Sequence, residues 1–352
     1  MGFVVNLLIL AAGLALLVKG SDFFVKSSAS IAKKLGVSEF VIGLTLVAVG
    51  TSIPELASSV FASLNHAGGL VIGNVAGSNI ANIGLIAGIG ACLAFVKTKR
   101  EMIDRDGYIM LFVACLFFVF ILNDLIILRW EAAIFLLLYI GYVFYLFEAK
   151  PKYKGKYRFR DFLAYFYKFR YVVTIKSKIM SSINRKKRSE LEKKEVRQLF
   201  KAGLIKDILI LIIAGAAIVF GAKYLVNEAI FFADMLKIPQ TIIGITLIAV
   251  STSLPELMVT ISAVRKGYGT IALGNVIGSN ITNIFLILGV SGLIYPLAAI
   301  KSTLFLTAPF VILMSILLLI FIKSYWQIRR IEGIIFIILY AVFIAALLYV
   351  VI

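Results

Sequence analysis

The chain has 352 residues, 61% of them hydrophobic, and a formal net charge of +18. No soluble domain covers that much apolar surface, so the composition excludes a globular cytosolic protein and predicts a polytopic helical membrane protein. Residues 149–206 hold 19 of the 36 Lys and Arg against four acids, a single block between two apolar halves; a cytoplasmic loop beside anionic headgroups accounts for this, and with no base-reading module present, nucleic acid is not an expected partner.

In chain order the apolar runs predict ten spans, at about 3–18, 40–64, 70–96, 107–123, 130–147, 204–222, 240–263, 270–296, 303–322 and 333–352. Most approach the roughly 20 residues that a helix needs to cross hydrocarbon. The first lacks the basic leader of a signal peptide and reads as a membrane helix. Cys92 and Cys115 fall in apolar runs without metal-ligand spacing, as small hydrophobes do. The basic block carries interleaved aromatics, among them Tyr153, Phe162 and Tyr165. It reads either as a linker resting on headgroups or as an amphipathic regulatory helix.

The expected organisation is therefore a five-helix half (1–148), a basic cytoplasmic loop (149–203) and a second five-helix half (204–352). If the basic loop is inside, so are the connections 19–39, 97–106, 265–269 and 323–332, which together hold 13 Lys and Arg, from Lys19 to Arg330. The outside connections hold only Arg129, Lys223, Lys237 and Lys301. This asymmetry predicts a multi-pass protein of the cell membrane with both termini outside.

The two halves share a text. Residues 45–55 read Thr-Leu-Val-Ala-Val-Gly-Thr-Ser-Ile-Pro-Glu, and residues 246–256 read Thr-Leu-Ile-Ala-Val-Ser-Thr-Ser-Leu-Pro-Glu. The offset of 201 holds without a gap from Gly20/Gly221 to Gly88/Gly289. It takes in a second shared phrase, Gly-Asn-Val-x-Gly-Ser-Asn-Ile-x-Asn-Ile, beginning at Gly73 and Gly274. Because five spans is an odd number, the second copy enters the membrane from the opposite side, so the repeats are inverted.

Both phrases place oxygen in hydrocarbon. An ionisable group at bilayer depth costs at least ~2.5 kcal/mol, so Glu55 and Glu256 are functional candidates, with no Lys or Arg expected within the spans to pair with them. Thr51, Ser52 and Glu55 share a helix face. Pro54 has no N–H and opens the preceding turn, exposing carbonyls around Ala48 to Thr51 as further oxygen donors; Pro255 does the same in the other half. Ser78 and Asn82 are four apart, as are Ser279 and Asn283, each pair on one face. Asn79 and Asn280 read equally as residues joining helices. A set of carboxylate, hydroxyl, amide and carbonyl oxygens, without Cys or His, suits a hard cation such as Ca²⁺ or Na⁺. Two carboxylates are neutralised by one Ca²⁺ or by two protons, so these residues alone permit Na⁺/Ca²⁺ and H⁺/Ca²⁺ exchange. No nucleophile–base pair, phosphate loop or cofactor motif is present, so neither an enzyme nor a cofactor is expected. A passive cation channel is the remaining class, and broken helices in inverted repeats argue for alternating access instead.

The paired phrases closely resemble the two alpha repeats of the sodium/calcium exchangers, within the cation/calcium exchanger superfamily. The resemblance covers about residues 20–95 and 221–296. It implies an antiporter in which Glu55 and Glu256 share a central Ca²⁺. It further implies roles for Thr51, Ser52, Thr252 and Ser253 by hydroxyl or carbonyl, for Ala48 and Ala249 by carbonyl, and for Ser78, Asn82, Ser279 and Asn283 in flanking Na⁺ sites. The chain departs from the pattern at Asn283, where many sodium-coupled members have aspartate, and at Ser251, where glycine is expected. The wording around Pro-Glu favours Na⁺ as the coupling ion, with H⁺ the alternative; K⁺ co-transport is not legible.

Overall fold

The structure, a computed structural model, describes residues 3–35, 38–94, 96–97, 100, 103–148, 162, 203–235 and 253–351. Helices dominate. The first half contains α1 (Phe3–Leu35), α2 (Glu39–Thr51), α3 (Ile53–Leu64), α4 (Gly68–Leu93), α5 (Tyr108–Asp124) and α6 (Arg129–Glu148). The second contains α7 (Leu204–Met235), α8 (Leu254–Arg265), α9 (Gly269–Ile294), α10 (Ala308–Tyr325) and α11 (Arg330–Val351). Eight helices are long and apolar enough to cross a membrane, and α2 with α3 forms a further span broken by a 47° bend. The protein is an integral multi-pass membrane protein. Of the expected span 240–263, only the part from Ser253 onward lies within the described residues.

The first and sixth spans are longer than expected. Residues 19–34, assigned above to a loop, continue α1, and α7 runs on to Met235. The two helices lie antiparallel along each other, burying Leu17, Phe24, Val25, Ile31 and Ala32 of α1 and Leu211, Ala214 and Ile218 of α7. The charges that suggested a loop have distant partners: Lys34 bonds Asp207 of α7 at 2.6 Å, and Asp22 pairs with Lys266 beyond α8. Satisfied charge and a continuous apolar stripe keep the helix going.

A second difference lies at the fourth span, which begins at Ile103 with a π-helical turn, Ile103–Gly107. Arg105 and Asp106, expected in a loop, are buried there as an ion pair at 2.7 Å, and Tyr142 donates to Asp106 at 3.2 Å. Of the basic block only Phe162 and residues from Gly203 are described; Phe162 is buried edge-on against Tyr142 and Tyr145. The readings of that block as linker or regulatory helix otherwise concern residues outside those described.

Four two-residue strands tie the halves together. β1 (Val96–Lys97) pairs antiparallel with β4 (Gln327–Ile328), and β2 (Ile126–Ile127) with β3 (Leu297–Ala298). The offset of 201 maps β1 onto β3 and β2 onto β4, so each half lends one strand to each ladder. The same offset relates α4 to α9, down to π-helical segments at Asn82–Ala87 and Asn283–Leu288. Single π-turns of this kind concentrate at functional sites.

At the centre, α2 lies directly on α9. A Cβ on Gly278 would stand 2.7 Å from the Leu44 carbonyl oxygen and 2.8 Å from the Ala48 Cβ, so only glycine permits this approach. The equivalent Gly77 meets no atom within 4 Å among the described residues.

Candidate functional site

The two Pro-Glu phrases begin a helix in the same way. α2 ends at Thr51, Ser52 takes φ −85°, ψ 8°, and α3 begins with Pro54 in its first turn. In the other half Ser253 takes φ −89°, ψ 4°, and α8 begins with Pro255 in its first turn. Proline belongs there because the first-turn N–H groups have no intrahelical partner. Glu55 and Glu256 thus each stand in the first turn of a helix, where the backbone dipole favours negative charge.

Of the twelve residues singled out above, Ala48, Thr51, Ser52, Glu55, Ser78, Asn82, Ser253, Glu256, Ser279 and Asn283 are described, and none is more than 3% exposed. Thr252 and Ala249 lie outside the described residues. The structure joins several of them across the repeats. Ser52 donates to Glu256 Oε1 at 3.1 Å. Thr51 Oγ1 lies 3.1 Å from the Val47 carbonyl, 3.3 Å from that of Ala48 and 3.2 Å from Asn275 Oδ1. The Ala48 carbonyl also accepts the Ser52 N–H at 3.0 Å.

Asn275 was not among the expected site residues. Its Nδ2 donates to the Glu256 carbonyl at 3.4 Å and to Thr260 at 3.2 Å, so it links the Thr51 hydroxyl to the helix that carries Glu256. Asn74, its repeat mate, donates to Ser59 at 3.0 Å. The signal was present: both asparagines occupy the second position of the shared Gly-Asn-Val phrase.

A further group of hydrogen bonds joins α4 to α9. Asn82 donates to Asn280 Oδ1 and Asn283 to Asn79 Oδ1, both at 3.0 Å. Asn79 and Asn280 donate to each other's main-chain carbonyls at 3.2 and 3.4 Å.

What is left over is oxygen. Glu55 Oε2, Glu256 Oε2, Asn82 Oδ1, Asn283 Oδ1, Ser253 Oγ and Ser279 Oγ are buried without a hydrogen-bond partner among the described residues. Burying such atoms unpaired costs free energy, a carboxylate most of all. Nor does either glutamate meet a basic side chain among the described residues; the buried Arg105 is engaged by Asp106. Carboxylate, amide and hydroxyl oxygens in this number match the donor set of a hard cation, and no Cys or His is among the residues that supply them.

Sequence and fold comparisons agree with this chemistry. The family described as "Sodium/calcium exchanger protein" matches residues 5–148 and 206–349. Sodium/calcium exchanger MaX1 of Methanosarcina acetivorans is 58% identical over 348 residues, covering 98% of this chain and 99% of that protein. A solved structure of the sodium-calcium exchanger NCX_Mj superposes with a TM-score of 0.77 at 31% identity, covering 98% of this chain and all of the other. Human sodium/potassium/calcium exchanger 4 is 33% identical over 131 residues, 37% of this chain and 21% of that protein. With its duplicated phrases, broken helices and oxygen-lined centre, the chain belongs to the sodium/calcium exchanger family.

Proposed function

We propose that the protein is a secondary antiporter that exchanges Na⁺ for Ca²⁺, with Ca²⁺ held between Glu55 and Glu256 and Na⁺ at flanking positions. The observation that carries this reading is the set of six buried, unpartnered oxygens drawn from both repeats. Membership among exchangers rather than enzymes, and the likeness to MaX1, support it.

The chemistry accounts for coupling. Two ionised carboxylates give the centre a charge of −2, too costly to leave uncompensated at bilayer depth. One Ca²⁺ cancels that charge. Na⁺ ions cancel it by occupying the same carboxylates together with hydroxyl, carbonyl and amide oxygens of Ala48, Thr51, Ser52, Ser78, Asn82, Ser253, Ser279 and Asn283, and of Thr252 and Ala249 by repeat symmetry. Because both loads draw on Glu55 and Glu256, they exclude one another, and exchange follows. Ten spans in two inverted repeats, as the sequence predicts, suit alternating access around a fixed site.

The test is ⁴⁵Ca²⁺ uptake into proteoliposomes under an outward Na⁺ gradient, an outward H⁺ gradient, or neither. Uptake with Na⁺ alone is expected. Uptake with H⁺ alone would transfer the assignment to proton coupling, and uptake without either gradient would indicate a channel. Adding K⁺ to the Na⁺ arm tests co-transport.

The proposed topology has both termini outside and the basic loop inside. A single cysteine placed in 149–202 should resist an impermeant thiol reagent applied to intact cells, and one at the C-terminus should react. The opposite labelling pattern would invert the orientation.

A further inference from the structure

The geometry points to Asn79 and Asn280 as positioning residues that hold the side-chain oxygens of Asn82 and Asn283 toward the ions. This rests on the antiport reading and assigns a task to two residues that contribute no ligand to it.

The orientation of all four amides follows from the main chain. The carbonyls of residues 79 and 280 can only accept hydrogen bonds. The amide atoms facing them, on Asn280 at 3.4 Å and Asn79 at 3.2 Å, are therefore the NH₂ groups. This turns Asn79 Oδ1 and Asn280 Oδ1 the other way, toward Asn283 and Asn82. Those two must in turn present NH₂, which they do at 3.0 Å each. With their nitrogens held, Asn82 and Asn283 have their oxygens left over, and both are buried without a partner. The chain of consequence runs from two carbonyls to two outward oxygens with no free choice in it.

The arrangement is two-fold symmetric. It crosses between repeats at every bond, and all four side chains are at most 2% exposed. It also acts where the two π-helical segments begin, at Asn82 and Asn283. Without Asn79, the Asn283 amide is free to rotate and present NH₂ to the cation, which repels it. Partners of this kind fix the orientation of groups that touch the ion, and their loss typically lowers metal affinity about 10–100-fold.

A residue that only joins helices would, when lost, weaken the protein and lower every transport mode together. A positioning residue separates them. Ca²⁺/Ca²⁺ self-exchange uses the two glutamates, whereas Na⁺-driven uptake also needs the flanking oxygens. The experiment compares wild type with Asn79→Ala and Asn280→Ala in proteoliposomes, measuring ⁴⁵Ca²⁺ uptake against internal Na⁺ and, separately, against internal Ca²⁺. Asn79→Ser and Asn280→Ser, which keep a small polar group, are measured alongside and replace any alanine variant that does not elute as a monodisperse species.

The expected result is a half-saturating Na⁺ concentration raised at least severalfold in each variant, with self-exchange within twofold of wild type. A parallel fall in both modes, or no change in either, would overturn the assignment and return the pair to helix joining. Failure of the antiport reading is seen separately, as wild-type protein without Na⁺-driven uptake.

Discussion

Glu55→Gln and Glu256→Gln are each expected to abolish Na⁺-driven Ca²⁺ uptake in a protein that still folds and inserts. Glutamine keeps the shape and an oxygen but removes one of two negative charges. Two unit charges 4 Å apart interact by about 4 kcal/mol at an effective dielectric constant near 20, and a divalent ion doubles that. Half of this loss already equals the ~4 kcal/mol that separates millimolar from micromolar binding. Folding is spared because neither carboxylate is held by a basic side chain among the described residues. The hydrogen bond that Ser52 donates to the Glu256 carboxylate can be made equally to a glutamine oxygen. Removing an unpaired intramembrane charge is, if anything, stabilising. The measurement is initial ⁴⁵Ca²⁺ uptake together with the melting temperature in detergent. Wild-type uptake in either variant would remove that glutamate from the ion site, and a lowered melting temperature would show that it serves folding instead.

Gly278→Ala should destabilise the protein and displace the centre of the site. The added carbon would stand 2.7 Å from both the Cα and the carbonyl oxygen of Leu44. Those are backbone atoms and cannot rotate away, so α2 must shift off α9. Overpacking of this kind costs about 1–3 kcal/mol. The shift also parts Thr51 from Asn275 and moves Ala48, so transport should be lost even in the fraction that folds. Gly90→Ala is the control: its methyl would meet Thr260 Cγ2 at an ordinary 3.4 Å. It removes a helical glycine, which favours the helix by roughly 0.5–1 kcal/mol. A melting temperature for Gly278→Ala equal to that of Gly90→Ala would mean that the two helices are not in contact as described.

The division between what the residues announce and what they conceal is physical. The break at Ser52 and the helix start after Ser253 are legible because proline and an intramembrane carboxylate obey local rules that need no knowledge of the neighbours. Membrane class and the number of halves follow from composition and self-similarity. The length of α1 is concealed because Lys34 and Asp22 read as loop charges until Asp207 and Lys266, 173 and 244 residues away, are placed beside them. The buried Arg105 was likewise read as a loop cation, since its partner is the next residue and the burial comes from helices elsewhere. The orientation of the asparagine amides is concealed for a related reason, being dictated by main-chain groups of the opposite repeat. Asn275 is concealed although it stands inside the shared phrase, because an asparagine that faces other protein groups looks the same in one dimension as one that only packs.

The two strand ladders bear on how such a molecule could arise. β1 and β2 of the first half meet β4 and β3 of the second, and the duplication maps one ladder onto the other. In two separate half-length chains, the same residues would form the same pair of contacts reciprocally, each chain offering the segment that the other needs. That is an isologous interface, which closes on itself at two copies and cannot run on into a filament. A half-length ancestor dimerising in this way, one copy upside down relative to the other, already has both glutamates, both pairs of serine and asparagine, and all four central amide bonds. Joining the copies into one chain keeps those bonds. It frees each half to diverge alone, as Ser251 against Gly50 and Thr260 against Ser59 now show.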